Sequence, residues 1–167
     1  MFTVSRIANA RLDNLALPSD RLALLRGVAA QRTGALLLTG PPGAGKAGVA
    51  EALAAELGHD LMRVDTGRVV SRFIGETEKN LDRLFTAAAA RGGVLFFDEA
   101  DALFGKRSDV QDSHDRYANL EVSYLLQKSE RHPGLVIVAV DTHRNVDPAL
   151  QRRWRCVVDL HWLPRRG

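Results

Sequence analysis

Cysteine is almost missing from this chain: Cys156 is the single one in 167 residues. No internal disulfide can form, and a Cys-based zinc site is excluded. The five histidines are scattered, with no pair at metal-ligand spacing. No apolar run approaches the ~20 residues of a membrane-spanning helix. Met1–Ala10 does not read as a secretory signal, because Arg6 and Asn9 interrupt its apolar residues. The expected setting is therefore a reducing one, the cytoplasm, with no membrane partner. Surplus charge is also scarce. Lys and Arg number 23 against 20 Asp and Glu, a net charge of +3. A surplus that small describes a solvated surface rather than a nucleic-acid footprint. It persists even though Arg152, Arg153, Arg155, Arg165 and Arg166 gather near the end.

What is present suits one globular domain. The hydrophobic fraction is 46% and the charged fraction 26%, so a real core can form. Met1–Asn14 is weakly patterned and reads as an irregular lead-in. Ser19 to Gln31 carries apolar residues at helical spacing (Leu22, Leu25, Val28, Ala29). Ala35–Thr39 is a short apolar strand, and Gly45–Leu57 a helix closed by Gly58. Leu61–Val64 is a second strand, and Thr66–Gly75 a connection. Glu76–Arg91 is a helix with Leu81, Leu84, Phe85 and Ala88 on one face. Val94–Phe97 is an apolar strand, followed by a helical turn at Ala100–Phe104 and a polar loop at Gly105–Gln111. Asp115–Glu130 is a helix and Leu135–Val140 a strand. Asp147-Pro148 opens a short helix to about Arg152, and Arg155–Leu160 is the last strand. Strands alternate with helices and are apolar throughout, which predicts a parallel sheet covered on both faces.

Three strand ends carry polar groups. Thr39 leads into Gly40, Pro41, Pro42, Gly43, Ala44, Gly45 and Lys46. These residues fit a phosphate-binding loop, G-x-x-x-x-G-K-[ST], in all but the last position, where Ala47 replaces the hydroxyl that would bind Mg²⁺. Glycines let successive N–H groups curl around phosphate oxygens, the next helix adds its positive end, and Lys46 adds a mobile cation. Val94–Phe97 ends in Asp98 and Glu99, one suited to hold Mg²⁺ and the other to polarise an attacking water. The bland alternative is that both acids cap the next turn. Asp141 ends the strand at Leu135–Val140. In an open parallel sheet such ends collect the ligand. Arg152 and Arg153 fit either a solvated basic edge or an arginine finger. Phe73, between Arg72 and Ile74, reads by itself as a core anchor.

Taken together, GPPGAGK, SRFIGETEKNLDRLF, VLFFDEADALFGKRSDVQDSHDRYANLEVSYLLQ and NVDPALQRRWRCVVDL resemble the AAA clade of the AAA+ ATPases. The third stretch is similar to AAA ATPases encoded with contractile, phage-tail-like injection particles. The resemblance covers about Leu15 to Pro164. It implies a five-stranded parallel sheet in the order 5-1-4-3-2, with residues 1–17 as a lead-in and 18–167 as the large nucleotide-binding subdomain. It implies ATP and Mg²⁺ as ligands, with Gly40–Lys46 as the phosphate loop, Asp98 on the metal and Glu99 as catalytic base. Asp141 falls at the first sensor, usually Asn, which orients water. Arg153, beside Arg152, falls at the arginine finger given to a neighbouring subunit. Arg72, Phe73 and Ile74 fall at the aromatic pore loop that grips a polypeptide in a ring hexamer.

The sequence departs from that pattern in three places. Ala47 removes a metal-binding hydroxyl. Asp141 brings a carboxylate toward the γ-phosphate. At ~5 Å and an effective dielectric of ~20 the repulsion is on the order of 3 kcal/mol, unless the carboxylate faces a cation or is protonated. The chain ends at Gly167, so the expectation is a subdomain with neither the helical lid nor a further N-terminal domain. The leading expectation is ATP hydrolysis to ADP and phosphate, attenuated, driving polypeptide remodelling or assembly of a contractile particle through a homo-oligomeric ring. The alternatives are a poorly hydrolysing nucleotide-binding assembly protein and a nucleic-acid-handling ATPase.

Overall fold

The computed structural model describes residues 1–104, 113–141 and 151–160, with residues 113–119 described by backbone alone. Strands β1 (Phe2–Ser5), β2 (Gly34–Thr39), β3 (Leu61–Val64), β4 (Val94–Phe97), β5 (Leu135–Val140) and β6 (Cys156–Asp159) form one sheet. Its order is β1-β3-β4-β5-β2-β6. Strands β2 to β6 run parallel. Counted from β2, they stand in the expected order 5-1-4-3-2.

Strand β1 is an addition to that plan. It pairs antiparallel with β3, from Phe2 opposite Val64 to Ser5 opposite Leu61. The irregular lead-in is thereby corrected for these residues. Thr3 and Val4 favour extended backbone, and the outer edge of β3 supplies the ladder. A 3-10 turn at Leu12–Asn14 then buries Leu12.

Helices α1 (Ser19–Gln31), α2 (Lys46–Leu57), α3 (Thr66–Val69), α4 (Glu76–Arg91), α5 (Asp101–Phe104) and α6 (Ser113–Arg131) complete the described elements. Successive strand residues point to opposite faces. Leu36, Leu38, Phe96 and Ile137 join one core with Leu25 of α1 and Val49 and Leu53 of α2. Leu37, Leu95, Phe97 and Val138 join the other with Leu81, Leu84 and Phe85 of α4 and Val122 and Leu125 of α6. Both faces are covered, so the strands carry no polar alternation. The charges of α4 complement its dipole, with Glu76 and Glu78 in the first turn and Arg91 in the last.

The connection after β3 is shorter than expected, because its first four residues form α3. Val70 N–H bonds Thr66 O at 3.0 Å, and the turn buries Val69. The polar loop at Gly105–Gln111 and the helix start at Asp147-Pro148 lie outside the described residues. Among the described residues no helix is long and apolar enough to cross a membrane.

Candidate functional site

Strands β4, β5 and β2 are consecutive neighbours in the sheet. Their carboxyl ends carry Asp98 and Glu99, Asp141, and the loop Gly40–Lys46 respectively. The register sets Thr39 opposite Val140, so Asp141 and the loop leave the sheet side by side. Gly40 N–H reaches Val140 O at 3.3 Å and ties the loop's first residue to the β5 end. On the other side of β2, Thr39 Oγ1 donates to Asp159 Oδ1 at 3.2 Å.

The loop curls as its glycines require. Gly43 and Gly45 have φ of 82° and 95°, and a Cβ at either would meet nothing within 4 Å. Packing therefore does not demand glycine at these two positions. The left-handed backbone does, and that conformation is the one that wraps N–H groups around an anion. At Gly40 a Cβ would stand 3.2 Å from both Ala44 and Leu160 Cβ, so there the close approach matters. Pro41, Pro42 and Ala44 complete the loop, and Ala47 lies in the first turn of α2.

Lys46 is the best-held side chain of the site. It is buried, at 7% exposure, and its ammonium donates to Gly40 O, to Pro41 O at 3.2 Å and to Asp141 Oδ1 at 3.0 Å. Asp141 therefore faces the loop lysine, and its charge is partly offset by that cation. Its backbone is anchored too, because Asp101 Oδ1 accepts the Asp141 N–H at 3.0 Å.

Asp98 and Glu99 differ from one another. Asp98 accepts from Arg63 at 3.0 Å, and its other oxygen accepts the Glu99 N–H at 2.9 Å. Glu99 is exposed and has φ of 51°, one of two non-glycine residues with positive φ among the described residues. Such a backbone costs of order 1–3 kcal/mol and persists only where its surroundings hold it. Thr66 Oγ1 supplies part of that hold, lying 3.2 Å from Asp98 O and 3.3 Å from Glu99 O. Ala100 N–H adds a bond to Ala139 O at 2.9 Å.

Three contributors escaped the sequence reading. Asp101 lies in the run Asp98-Glu99-Ala100-Asp101, so proximity in sequence could have flagged it. Thr66 follows the β3 end, as the loop follows β2. Arg63 carried no signal, since it lies within β3 rather than at its end, although the expected order 5-1-4-3-2 sets β3 beside β4.

Phe73 is not a core anchor. It is 62% exposed and Ile74 78%, with the Arg72 guanidinium 5.5 Å from the Phe73 ring. The base of this tip is held by buried Thr77, whose Oγ1 accepts from Ser71 N–H at 2.9 Å and lies 3.2 Å from Ser71 O. Arg152 and Arg153 are exposed in the turn before β6. Arg153 donates to Ser123 Oγ of α6 at 2.7 Å, and among the described residues no bond joins either arginine to Gly40–Lys46.

A family profile described as "ATPase family associated with various cellular activities (AAA)" matches residues 36–162. The chain belongs to this AAA family. Among its relatives is an uncharacterized AAA family ATPase, y4kL, of Sinorhizobium fredii. It is 39% identical over 131 residues, covering 78% of this chain and 38% of the relative. Spastin of Ixodes scapularis is 33% identical over 144 residues, covering 83% of this chain and 22% of spastin. This AAA chain thus spans well under half the length of these relatives. The crystal structure of the FIGL-1 AAA domain in complex with ADP superposes with a TM-score of 0.65 at 22% identity, covering 95% of this chain and 57% of that one, and shares its fold.

The residues fit a nucleotide's phosphates: an open left-handed glycine loop, a helix start and a held lysine. They fit Mg²⁺ poorly. Position 47 has no hydroxyl, and Asp98 is already paired with Arg63. Among the described residues no three His, Cys, Asp or Glu gather as a ready metal site.

Proposed function

We propose that this chain is the nucleotide-binding module of an ATPase that cleaves ATP to ADP and phosphate. The observation that carries it is the convergence of Lys46, Asp141 and the Asp98–Glu99 pair at the ends of three adjacent strands. Gly40–Ala47 would seat the phosphates, with Lys46 as the mobile cation. Glu99, exposed on a strained backbone, would take a proton from the attacking water, with Asp141 at the water-orienting sensor position. Asp98 would hold Mg²⁺ through water only on releasing Arg63, and no step here depends on the metal. Arg153, with Arg152 beside it, would serve a neighbouring subunit, because neither touches its own loop.

The finer reading follows the resemblance. The chain would work in the cytoplasm in a homo-oligomer, a hexameric ring, and move a polypeptide past Arg72, Phe73 and Ile74. The polypeptide would belong to a contractile, injection-type particle. Exposure of Phe73 and Ile74 supports the pore role, since no core claims them. A second reading has its own support: Ala47 and the Lys46–Asp141 pair favour a binding protein that hydrolyses poorly. Steady-state turnover separates the two. Glu99→Gln should reduce phosphate release at least tenfold, and Ala47→Thr should increase it. A rate indifferent to Glu99→Gln would leave only the binding reading.

A further inference from the structure

Lys46 and Asp141 form an unusual closed pair at the place where charge matters most. All three ammonium donors have acceptors: two loop carbonyls and the Asp141 carboxylate. The carboxylate is supplied by β5, the strand beside β2, and its backbone cannot withdraw. Asp101 grips the Asp141 N–H, and Val140 O is bonded to Gly40 N–H. Asp141 can leave Lys46 only by turning its side chain.

The consequences differ for a diphosphate and a triphosphate. A diphosphate needs the curled loop, the α2 N-terminus and a share of Lys46. The loop and the helix start are in place, and Lys46 serves a diphosphate by releasing one of its loop carbonyls. A third phosphate brings further negative charge and must settle beyond the loop, where the strand ends carry Asp141, Asp98 and Glu99. Two features that could offset this charge are compromised. Position 47 offers no hydroxyl to a metal ion. The cation nearest Asp98, Arg63, is occupied by it at 3.0 Å. Like charges brought together in a partly buried site repel.

We infer that this site is selective for a nucleoside diphosphate, holding ADP more tightly than ATP, and that Asp141 is the residue that sets the preference. The inference rests on Gly40–Lys46 being a nucleotide loop. It adds a cause for slow turnover: the product is the better ligand. Asparagine at position 141 keeps the shape and removes the charge, so it should relieve the γ-phosphate more than it alters the seat of the diphosphate, where Lys46 keeps its two loop carbonyls.

Titration calorimetry of the full chain tests this, using ADP and the non-hydrolysable β,γ-imido analogue of ATP, each with and without Mg²⁺. The wild-type chain should bind ADP at least tenfold more tightly than the triphosphate. Asp141→Asn should tighten the triphosphate at least tenfold more than it changes ADP. Equal wild-type affinities overturn the proposal while leaving the nucleotide loop intact. An equal gain for both ligands in Asp141→Asn overturns Asp141 as the selective residue. Binding of neither ligand to a folded wild-type chain overturns the loop reading and this inference together. The wild-type ratio decides the selectivity even where the variant folds poorly, and Asp141→Ala provides a second uncharged side chain.

Discussion

Glycine is held for different reasons at the two ends of the parallel sheet, although Gly40 is crowded in the loop and Gly58 and Gly92 stand in open space before β3 and β4. At the carboxyl ends, Gly43 and Gly45 stand in open space, and only their backbone conformation requires them. At the amino ends, the turns into β3, β4 and β5 are pressed together. A Cβ on Gly93 would stand 2.7 Å from Asp60 O, and one on Gly134 would stand 2.9 Å from Gly93 O. Charges differ as well. At the amino ends Asp60 is bracketed by Arg91 at 2.8 Å and Arg6 at 3.7 Å, and Lys46 has no counterpart among the described residues there. A cleft of about 410 Å³ opens between these turns, yet its lining of glycines, His59, His132 and a paired acid is that of a packing junction. Gly43 and Gly45 are thus kept by their backbone conformation, and Gly93 and Gly134 by the lack of space around them.

The largest expected effect breaks this comparison if it is wrong. Gly93→Ala places a Cβ against a backbone carbonyl and forces a side chain onto φ of 132°. Backbone cannot step aside as a flexible side chain can. The expected loss is about 3 kcal/mol or more of unfolding free energy, read by denaturant titration. Gly45→Ala meets no atom, so its loss is confined to the left-handed strain of about 1–2 kcal/mol. Its larger penalty should fall on nucleotide affinity, read by calorimetry. Equal stability losses at the two glycines would erase the distinction.

A smaller effect sharpens the contrast within the functional end itself. Lys46 is buried against Asp141, whereas Arg63 and Asp98 are 44% and 28% exposed. A solvent-screened pair of this kind contributes about 1 kcal/mol or less. Arg63→Gln should therefore leave the melting temperature nearly unchanged. It should free Asp98 for a cation and raise the dependence of nucleotide affinity on Mg²⁺ severalfold. A melting temperature that drops sharply, with the Mg²⁺ dependence unmoved, would make Arg63 a structural residue.

Which features were legible in the sequence follows from how local their causes are. Helix α4 showed its buried face because Leu81, Leu84, Phe85 and Ala88 recur at helical spacing. The strands showed because both faces are covered. The phosphate loop showed because its glycines and lysine are contiguous. Strand β1 did not, since four residues carry little pattern and their partner β3 lies far along the chain. The Asp141 charge was visible, but its lysine partner becomes certain only once β5 is seated beside β2. Arg63 was invisible because it lies inside β3, and the expected pairing of β3 with β4 does not say which side chains meet across it. What escaped is contact across strands, which short-range spacing does not encode.

The smallest expected effect lies at the amino ends and depends on pH. His132 follows α6 and is 7% exposed, with its ring edge-on to Phe85 at 5.6 Å. Burial lowers its pKa below the ordinary 6.5, so the folded chain resists the proton that the unfolded chain accepts. Below pH 6.5 the unfolded state binds more protons, and stability must fall as pH drops through the window down to the folded-state pKa. Well above pH 6.5 both states are neutral at this ring and the contribution is constant. Glu121 of α6 acts in the opposite sense. Burial raises its pKa above 4.5, so its contribution weakens as pH rises from there. A bare pH profile mixes the two, and His132→Gln separates them. The difference between wild-type and variant unfolding free energies should be flat well above pH 6.5 and should shrink the wild-type advantage steadily below it. A difference with no slope across that window would mean that the ring takes up its proton equally in both states, and the amino-end junction would be looser than its glycines indicate.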